Sequence, residues 1–233
     1  MTASGPERSS RPIDGRGSGR AGAIAEDRSH DRGRGGGGGP DLPRLFVAVP
    51  VPPVVTTEVA RVVEDAQREL GDHARRVRWV QLDRLHVTLR FLGPTPARRV
   101  GEVAAALDAA AVGIGPFEVR FAGAGAFPSR DRPRALWLGI VRGAAELGRL
   151  AAAFEAALAS AGWPVEARAF RPHMTVARTD GLNEGTAAAG ALERAASTLD
   201  AGFRTDRVLL YRSHLGSGPA KYEALHETPL IGP

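Results

Sequence analysis

Two histidine motifs of the same form stand far apart in this chain. His86 and Thr88 lie in LHVTLRFLG, and His173 and Thr175 lie in PHMTVARTD, although the chain has only six histidines. An imidazole titrates near pH 6.5, so a pair of histidines can supply a base and an acid together at neutral pH. Substitution at a phosphodiester needs both, and threonine hydroxyls can donate to the remaining phosphate oxygens. The paired motifs therefore predict acid–base chemistry on a phosphodiester, with no metal required.

Strand alternation decides which of these side chains act together. Residues i and i+2 of a strand point to the same face of the sheet. In the first motif, His86 and Thr88 are predicted to share one face with Arg90, while Leu89 and Phe91 face the core. The first motif therefore presents an imidazole and a hydroxyl to one side of its sheet.

The second motif has the same arrangement. Arg171, His173 and Thr175 are predicted to share one face, and Met174 and Val176 the other. If two similar lobes pack with these faces opposed, two imidazoles and two hydroxyls converge on one point. The predicted catalytic residues are His86, His173, Thr88 and Thr175, with no metal ligand among them.

The elements that carry the motifs form two similar series, each running strand, helix, strand with the histidine in the second strand. The predicted elements are, in order, RLFVAVP, VVTTEVARVVEDAQREL, VRWV, HVTLRFL, ARRVGEVAAALDAAA, FEVRFAGAGAF, ALWLGIV, AAELGRLAAAFEAALASAG and HMTVAR. The matched positions predict an internal duplication. The segment FRTDRVLLYRSHLGSGPAKYEALHETPL predicts two more strands, which the sequence does not assign to either sheet.

Composition narrows the class of protein. The absence of cysteine excludes disulfides and thiolate metal sites, and a cytoplasmic location is the default expectation. No apolar run reaches the roughly 18 to 20 uncharged residues that span a bilayer, so we predict no membrane segment. The net charge is +5, and all of the basic residues except Lys221 are arginines. A basic surface suits a phosphate-bearing partner.

The first 41 residues differ from the rest. They hold almost no large apolar side chains and include a run of five glycines after DRGR. Such a segment cannot offset the entropy of ordering its backbone. We predict a disordered Gly/Arg-rich tail over 1–41 and a single bilobal domain over 42–233.

Four segments resemble a known family in the same order along the chain: RLFVAVPVPP, RWVQLDRLHVTLRFLGPT, FRPHMTVAR and YRSHLGSGPAKYEAL. They are similar to segments of the RNA 2′,3′-cyclic phosphodiesterases, formerly described as 2′-5′ RNA ligases, of the two-histidine phosphoesterase superfamily. The resemblance implies an α+β fold, with two pseudo-symmetric lobes of antiparallel sheet, helices on the outer faces and a central cleft.

The same resemblance implies a reaction and residue roles. The reaction would be metal-independent hydrolysis of a 2′,3′-cyclic phosphate at an RNA end to a 2′-phosphomonoester, with reverse 2′-5′ ligation as a further possibility and no cofactor. By carry-over, His173 would activate water, His86 would protonate the departing 3′ oxygen, and Thr88 and Thr175 would bind the phosphate. Arg171 would bind phosphate or the neighbouring nucleotide. The expected partner is RNA with a cyclic phosphate end, bound by a monomer.

Three alternatives remain open. The motifs recognise a phosphate and say little about what is attached, so the substrate could be a small cyclic phosphate or nucleotide. The protein could also be a non-catalytic module that binds RNA 3′ ends. Zinc binding by the two histidines is less favoured, because a catalytic zinc usually has three protein ligands.

Overall fold

The computed structural model describes residues 42–214 and 220–232, which contain nine strands and four α-helices. The predicted tail, 1–41, lies outside the described residues, so the tail and the domain boundary stay predictions. The strands are β1 Arg44–Pro50, β2 Arg78–Trp79, β3 His86–Pro94, β4 Phe117–Phe127, β5 Ala135–Arg142, β6 His173–Arg178, β7 Ala201–Thr205, β8 Arg207–His214 and β9 Lys221–Pro229. The helices are α1 Pro53–Leu70, α2 Val100–Ala111, α3 Ala144–Ser160 and α4 Leu182–Ala195.

The strands form two sheets whose described pairs are all antiparallel. The first sheet has the order β3-β1-β8-β9 and the second β2-β6-β5-β4-β7. The two C-terminal strands, which the sequence left unassigned, therefore complete the first sheet. The predicted α+β class with two antiparallel lobes is confirmed.

The histidine strands occupy equivalent places in the two sheets. β3 pairs with β1, the strand that begins its series, and β6 pairs with β5 in the same way. His86 lies opposite Pro50 in the first sheet, and His173 lies opposite Gly139 in the second. Each sheet thus repeats the unit in which a strand leads through a helix to its neighbour, and the predicted pseudo-symmetric duplication is confirmed.

Two helices, α1 and α3, each pack on the sheet opposite to the one from which they continue. α1 follows β1 of the first sheet but packs against α4 and β7, on the second sheet. α3 follows β5 of the second sheet but packs against α2 and β3, on the first. Their buried side chains belong to one continuous hydrophobic core with those of both sheets. Neither lobe is therefore built from a single stretch of chain. Among the described residues, no helix is long and apolar enough to cross a bilayer.

Both histidine strands carry a β-bulge directly after the threonine. In β3, Ala48 pairs with Thr88 but the next residue, Val47, pairs with Arg90, so Leu89 is the extra residue. A bulge resets the alternation of side chains. Phe91 is therefore 52% exposed, and its ring lies 6.0 Å from that of Phe46.

The bulge overturns two expectations from simple alternation. Arg90 does not share the face of His86, since it is 8% exposed and its Nε lies 2.5 Å from a carboxylate oxygen of Glu155 in α3. Phe91, predicted to face the core, lies instead on the exposed side. An uninterrupted period of two cannot reveal a bulge, because the extra residue leaves the hydrophobic pattern looking regular.

One helix and one strand, α4 and β7, were not predicted. The sequence of α4, LNEGTAAAGALERA, has few large apolar side chains and contains two glycines, which weaken the helical pattern. Gly185 is nevertheless required by packing, since a Cβ at this position would lie 2.7 Å from Thr179 Oγ1 and 2.8 Å from Pro133 Cγ. The small residues let α4 approach the second sheet closely.

Candidate active site

The two catalytic candidates are oriented by the same hydrogen bond. Nδ1 of His86 lies 2.7 Å from the carbonyl oxygen of Arg84, and Nδ1 of His173 lies 2.6 Å from the carbonyl oxygen of Arg171. A carbonyl oxygen only accepts, so each Nδ1 must donate its hydrogen. In the neutral ring, Nε2 then carries the free lone pair. Both copies therefore present the same nitrogen for proton transfer.

Electrostatic coupling shows that the two imidazoles share one environment. Burial lowers the pKa of His86 and of His173, and the nearby Arg178 guanidinium lowers both pKa values further. His173 itself contributes to the lowered pKa of His86. Because both imidazoles are buried, salt screens this interaction only weakly. β3 and β6 contact each other, so His86 and His173 lie on neighbouring strands of the two sheets. Their catalytic roles stay predictions.

The two threonines lie where the motifs placed them. Thr88 and Thr175 each follow their histidine by two positions on the same strand, before the bulge, and both side chains are partly buried. Each shares the face of its histidine. The phosphate-binding role of the threonines stays a prediction.

The structure places Arg171 and Arg178 differently relative to the histidines, and the substrate-binding role of Arg171 stays a prediction. Arg171 is exposed, and its clear contribution is the main-chain carbonyl that orients His173. Arg178 was missed, because strict alternation places a residue five positions after His173 on the opposite face. A bulge at Val176 shifts the alternation of side chains by one residue, since Thr175 pairs with Trp137 and Ala177 with Leu136. Arg178 therefore returns to the face of His173. Recognising a bulge in both motifs would have been the signal for Arg178.

Each histidine also packs against aromatic rings that its motif does not predict. The ring of His86 lies 5.1 Å from that of Phe46 and 5.3 Å from that of Tyr222, the latter at right angles. The ring of His173 lies 4.8 Å from that of Phe127 and 6.4 Å from that of Trp137. These rings come from four different strands, so no local spacing connects them with the histidines. They supply the burial that lowers both pKa values.

The described residues contain no group of three or more His, Cys, Asp or Glu side chains arranged to hold a metal ion. The remaining described histidines near carboxylates lie in simple pairs. His226 Nε2 is 2.8 Å from Asp108 Oδ1, and His214 Nε2 is 2.8 Å from Glu223 Oε2. These pairs join neighbouring elements of the first lobe.

A duplicated α+β fold with one histidine on the equivalent strand of each sheet defines a class, and comparison with known proteins identifies it. Residues 52–217 match the model of the 2′-5′ RNA ligase superfamily. This chain belongs to that superfamily. The resemblance seen in the sequence is therefore confirmed at the level of the family.

Several curated relatives carry the name RNA 2′,3′-cyclic phosphodiesterase. The protein from Geobacillus stearothermophilus is 35% identical over 191 residues, which cover 80% of this chain and 57% of that protein. The one from Bacillus subtilis is 29% identical over 192 residues, covering 82% of this chain and 99% of that protein. The chain spans only 57% of the length of the Geobacillus relative and of the Aeropyrum pernix relative.

Solved structures show the same fold. TT0787 of Thermus thermophilus superposes with a TM-score of 0.64 at 26% identity, covering 81% of this chain and 98% of that one. The Escherichia coli protein LigT, in its complex with 3′-AMP, gives a TM-score of 0.61 at 22% identity, with 81% and 98% covered.

Proposed function

We propose that this protein hydrolyses 2′,3′-cyclic phosphate ends of RNA to 2′-phosphomonoesters by acid–base catalysis between His86 and His173, without a metal ion. The observation that carries the proposal is the matched pair of imidazoles, each held by a carbonyl at Nδ1 and both close to Arg178. The names of the curated relatives support the substrate class.

The proposed reaction is an in-line displacement. His173 Nε2 takes a proton from water as the water oxygen bonds to phosphorus. The bond between phosphorus and the 3′ oxygen breaks, and that oxygen takes a proton from His86 Nε2. The product is a 2′-phosphomonoester with a free 3′ hydroxyl, and proton exchange with solvent restores both imidazoles.

Three further groups would stabilise the charge on the phosphate. The hydroxyls of Thr88 and Thr175 would donate to the non-bridging oxygens, and the Arg178 guanidinium would neutralise charge from the position where it already acts on both histidines. Arg171 would contact the phosphate or the neighbouring nucleotide. Both histidines belong to one chain, which is consistent with a monomeric enzyme. A cytoplasmic location rests on the sequence alone.

The test is turnover of a short RNA ending in a 2′,3′-cyclic phosphate, with EDTA present and with the product analysed for 2′-phosphate. Removing a general acid or base typically costs a factor of about 10² to 10⁴, so His86→Ala and His173→Ala should each lose activity on that scale. His73→Ala provides the control, because His73 is an exposed histidine outside both motifs. A wild-type protein that yields no 2′-phosphate, or histidine variants that keep full activity, would contradict the proposal.

Loss of wild-type activity in EDTA alone would replace the metal-free scheme by a metal-dependent one. Binding of the RNA without turnover, retained in both alanine variants, would instead support the non-catalytic binding module.

A further inference from the structure

A cavity of about 320 Å³ opens beside His86. It is lined by Asp83, Arg84, Leu85, His86, Tyr211, Lys221 and Tyr222. All of these residues belong to the first sheet or to the segment that leads into β3, and none comes from the second sheet. The cavity therefore extends from the catalytic centre on the side of His86.

The walls of this cavity suit a nucleobase. Tyr211 stacks on Phe46 with ring centroids 5.1 Å apart, and Tyr222 meets the rings of both Phe46 and His86 edge-on. Burial raises the pKa of Tyr211 and of Tyr222, so both phenols remain neutral at physiological pH. Aromatic walls bind bases by stacking with little sequence preference. The neutral hydroxyls add donors at the rim.

The two cationic side chains of the cavity, Arg84 and Lys221, differ in whether they already have partners within the protein. Arg84 Nη1 donates to the carbonyl oxygen of Ala220 at 2.5 Å, and its Nε lies 3.9 Å from Asp83. The guanidinium of Arg84 is thus used to hold the start of β9. Lys221 is exposed, and no ion pair of its ammonium is found among the described residues. It is also the single lysine of the whole chain. Lys221 is therefore the cation available to a phosphate.

In-line geometry decides which part of the substrate reaches this cavity. In the proposed reaction water enters from the side of His173, so the ribose that carries both the 2′ and 3′ oxygens lies on the opposite side, near His86. We infer that the cavity binds the terminal nucleoside of the RNA, and that Lys221 binds the 5′ phosphate of that same nucleotide. The inference rests on the proposed function and extends it, since it distinguishes an RNA end from a small cyclic nucleoside phosphate.

The test compares two substrates that differ only in this phosphate: uridine 2′,3′-cyclic phosphate and the same compound with a 5′ phosphate. A charge-assisted contact at a partly exposed site should give the wild type a preference of about tenfold in kcat/KM for the 5′-phosphorylated substrate. Lys221→Met should abolish that preference, so that kcat/KM for the two substrates becomes equal within about twofold. Lys221→Arg should restore most of the preference.

Arg68→Gln is the matched control for charge. It also removes one positive charge, but Arg68 lies in the last turn of α1 and pairs with Asp65, so the preference should persist. Equal turnover of the two substrates by the wild type would overturn the inference and leave the proposed function standing. A preference that persists in Lys221→Met would also overturn the inference. If the short RNA of the first test is not hydrolysed either, the proposed function fails and the subsite falls with it.

Discussion

Each imidazole of the site takes its orientation from a main-chain carbonyl two residues earlier, at Arg84 or Arg171. This device needs no particular side chain at the earlier position, so the pairing of Nδ1 is independent of the sequence there. It leaves the proposed acid and the proposed base chemically alike, so under the proposal the surroundings must separate their roles. The tyrosines and Lys221 lie on the side of His86, which agrees with placing the leaving nucleoside there.

Arg178 permits a prediction at the residue scale. Its charge lowers the pKa of both histidines, so Arg178→Gln should raise both pKa values. The acid must be protonated and the base neutral, so both limbs of the pH profile of kcat/KM should move to higher pH. Loss of a charge-assisted phosphate contact should also lower kcat/KM by about 10- to 100-fold at the optimum.

The measurement is the pH dependence of kcat/KM for the wild type, Arg178→Gln and Arg171→Gln. Arg171 acts on the pKa of His173 through its main-chain carbonyl, which glutamine retains, so Arg171→Gln should change KM and leave the limbs in place. Limbs that stay fixed in Arg178→Gln would show that its guanidinium does not act on the imidazoles.

Some side chains of the site follow from local sequence, and others depend on strand pairing. The face that each histidine shares with its threonine was predictable, because a motif that appears twice is a local signal, and the catalytic roles of these residues stay predictions. Arg178 was not predictable, because its face depends on a bulge at Val176, and the bulge is defined by pairing with β5. The aromatic rings around each histidine were hidden for the same reason, since strand neighbours far apart in sequence supply them.

At the scale of elements, the segment that precedes each histidine strand is bound to the opposite lobe by hydrogen bonds. Before His86, Val80 N donates to the carbonyl oxygen of Val176 in β6 at 2.9 Å. Before His173, Arg99 Nη2 donates to the carbonyl oxygen of Ala161 at 2.7 Å, and its guanidinium lies 3.7 Å from the Trp163 ring centroid. The position of each histidine therefore depends on the other lobe.

Arg90 is the most buried of the side chains that connect the two lobes in this way. It lies on β3, the strand of His86, yet it forms an ion pair with Glu155 in α3. Its Nη2 donates to the carbonyl oxygen of Pro164, in the segment that leads to His173. Its Nη1 also lies 3.8 Å from Glu166. Sequence alternation placed this side chain in the cleft. The structure makes it a link between the two histidine segments instead.

Arg90→Met tests that link. Breaking a buried ion pair typically destabilises a protein by about 3–5 kcal/mol, so the melting temperature should fall. A positioning role adds a loss of kcat of about tenfold at temperatures well below the transition, with KM nearly unchanged, because the phosphate-binding groups remain. Arg90→Lys should recover part of kcat.

The control for Arg90→Met is Arg61→Met, which removes an exposed pair with Glu58 within α1 and should change neither quantity appreciably. A lower melting temperature with kcat intact would assign Arg90 a purely structural role.

The element scale marks a second limit of sequence reasoning. Helices with long apolar repeats, such as α1 and α3, were predicted close to their observed bounds. The alanine- and glycine-rich α4 was missed, since its apolar face is made of small side chains. These stabilise the helix only through close packing against the sheet, which the sequence pattern does not show. Which sheet receives the last two strands is likewise a matter of long-range pairing.

At the scale of the whole molecule, the crossed helices join the two lobes. α1 belongs by connection to the first sheet and by packing to the second, and α3 has the reverse arrangement. The buried residues of both sheets form one cluster. Unfolding one lobe alone would expose the helix that the other lobe's chain contributes, together with the apolar surface it covers, so partial unfolding is costly.

We therefore expect the described part of the chain to unfold in a single cooperative transition. At roughly 0.7 kcal/mol per residue near 60 °C, the calorimetric enthalpy should be on the order of 130 kcal/mol, and the van't Hoff enthalpy should equal it. Two cavity-forming variants sharpen the test. Leu107→Ala in α2 and Leu192→Ala in α4 both remove a fully buried side chain, one on each lobe. Each should lower the midpoint temperature of the same single transition, since a large-to-small change in a core typically costs about 2–5 kcal/mol of stability. Two separate transitions, with each variant moving only one, would show that the lobes are independent and that the crossing helices do not couple them.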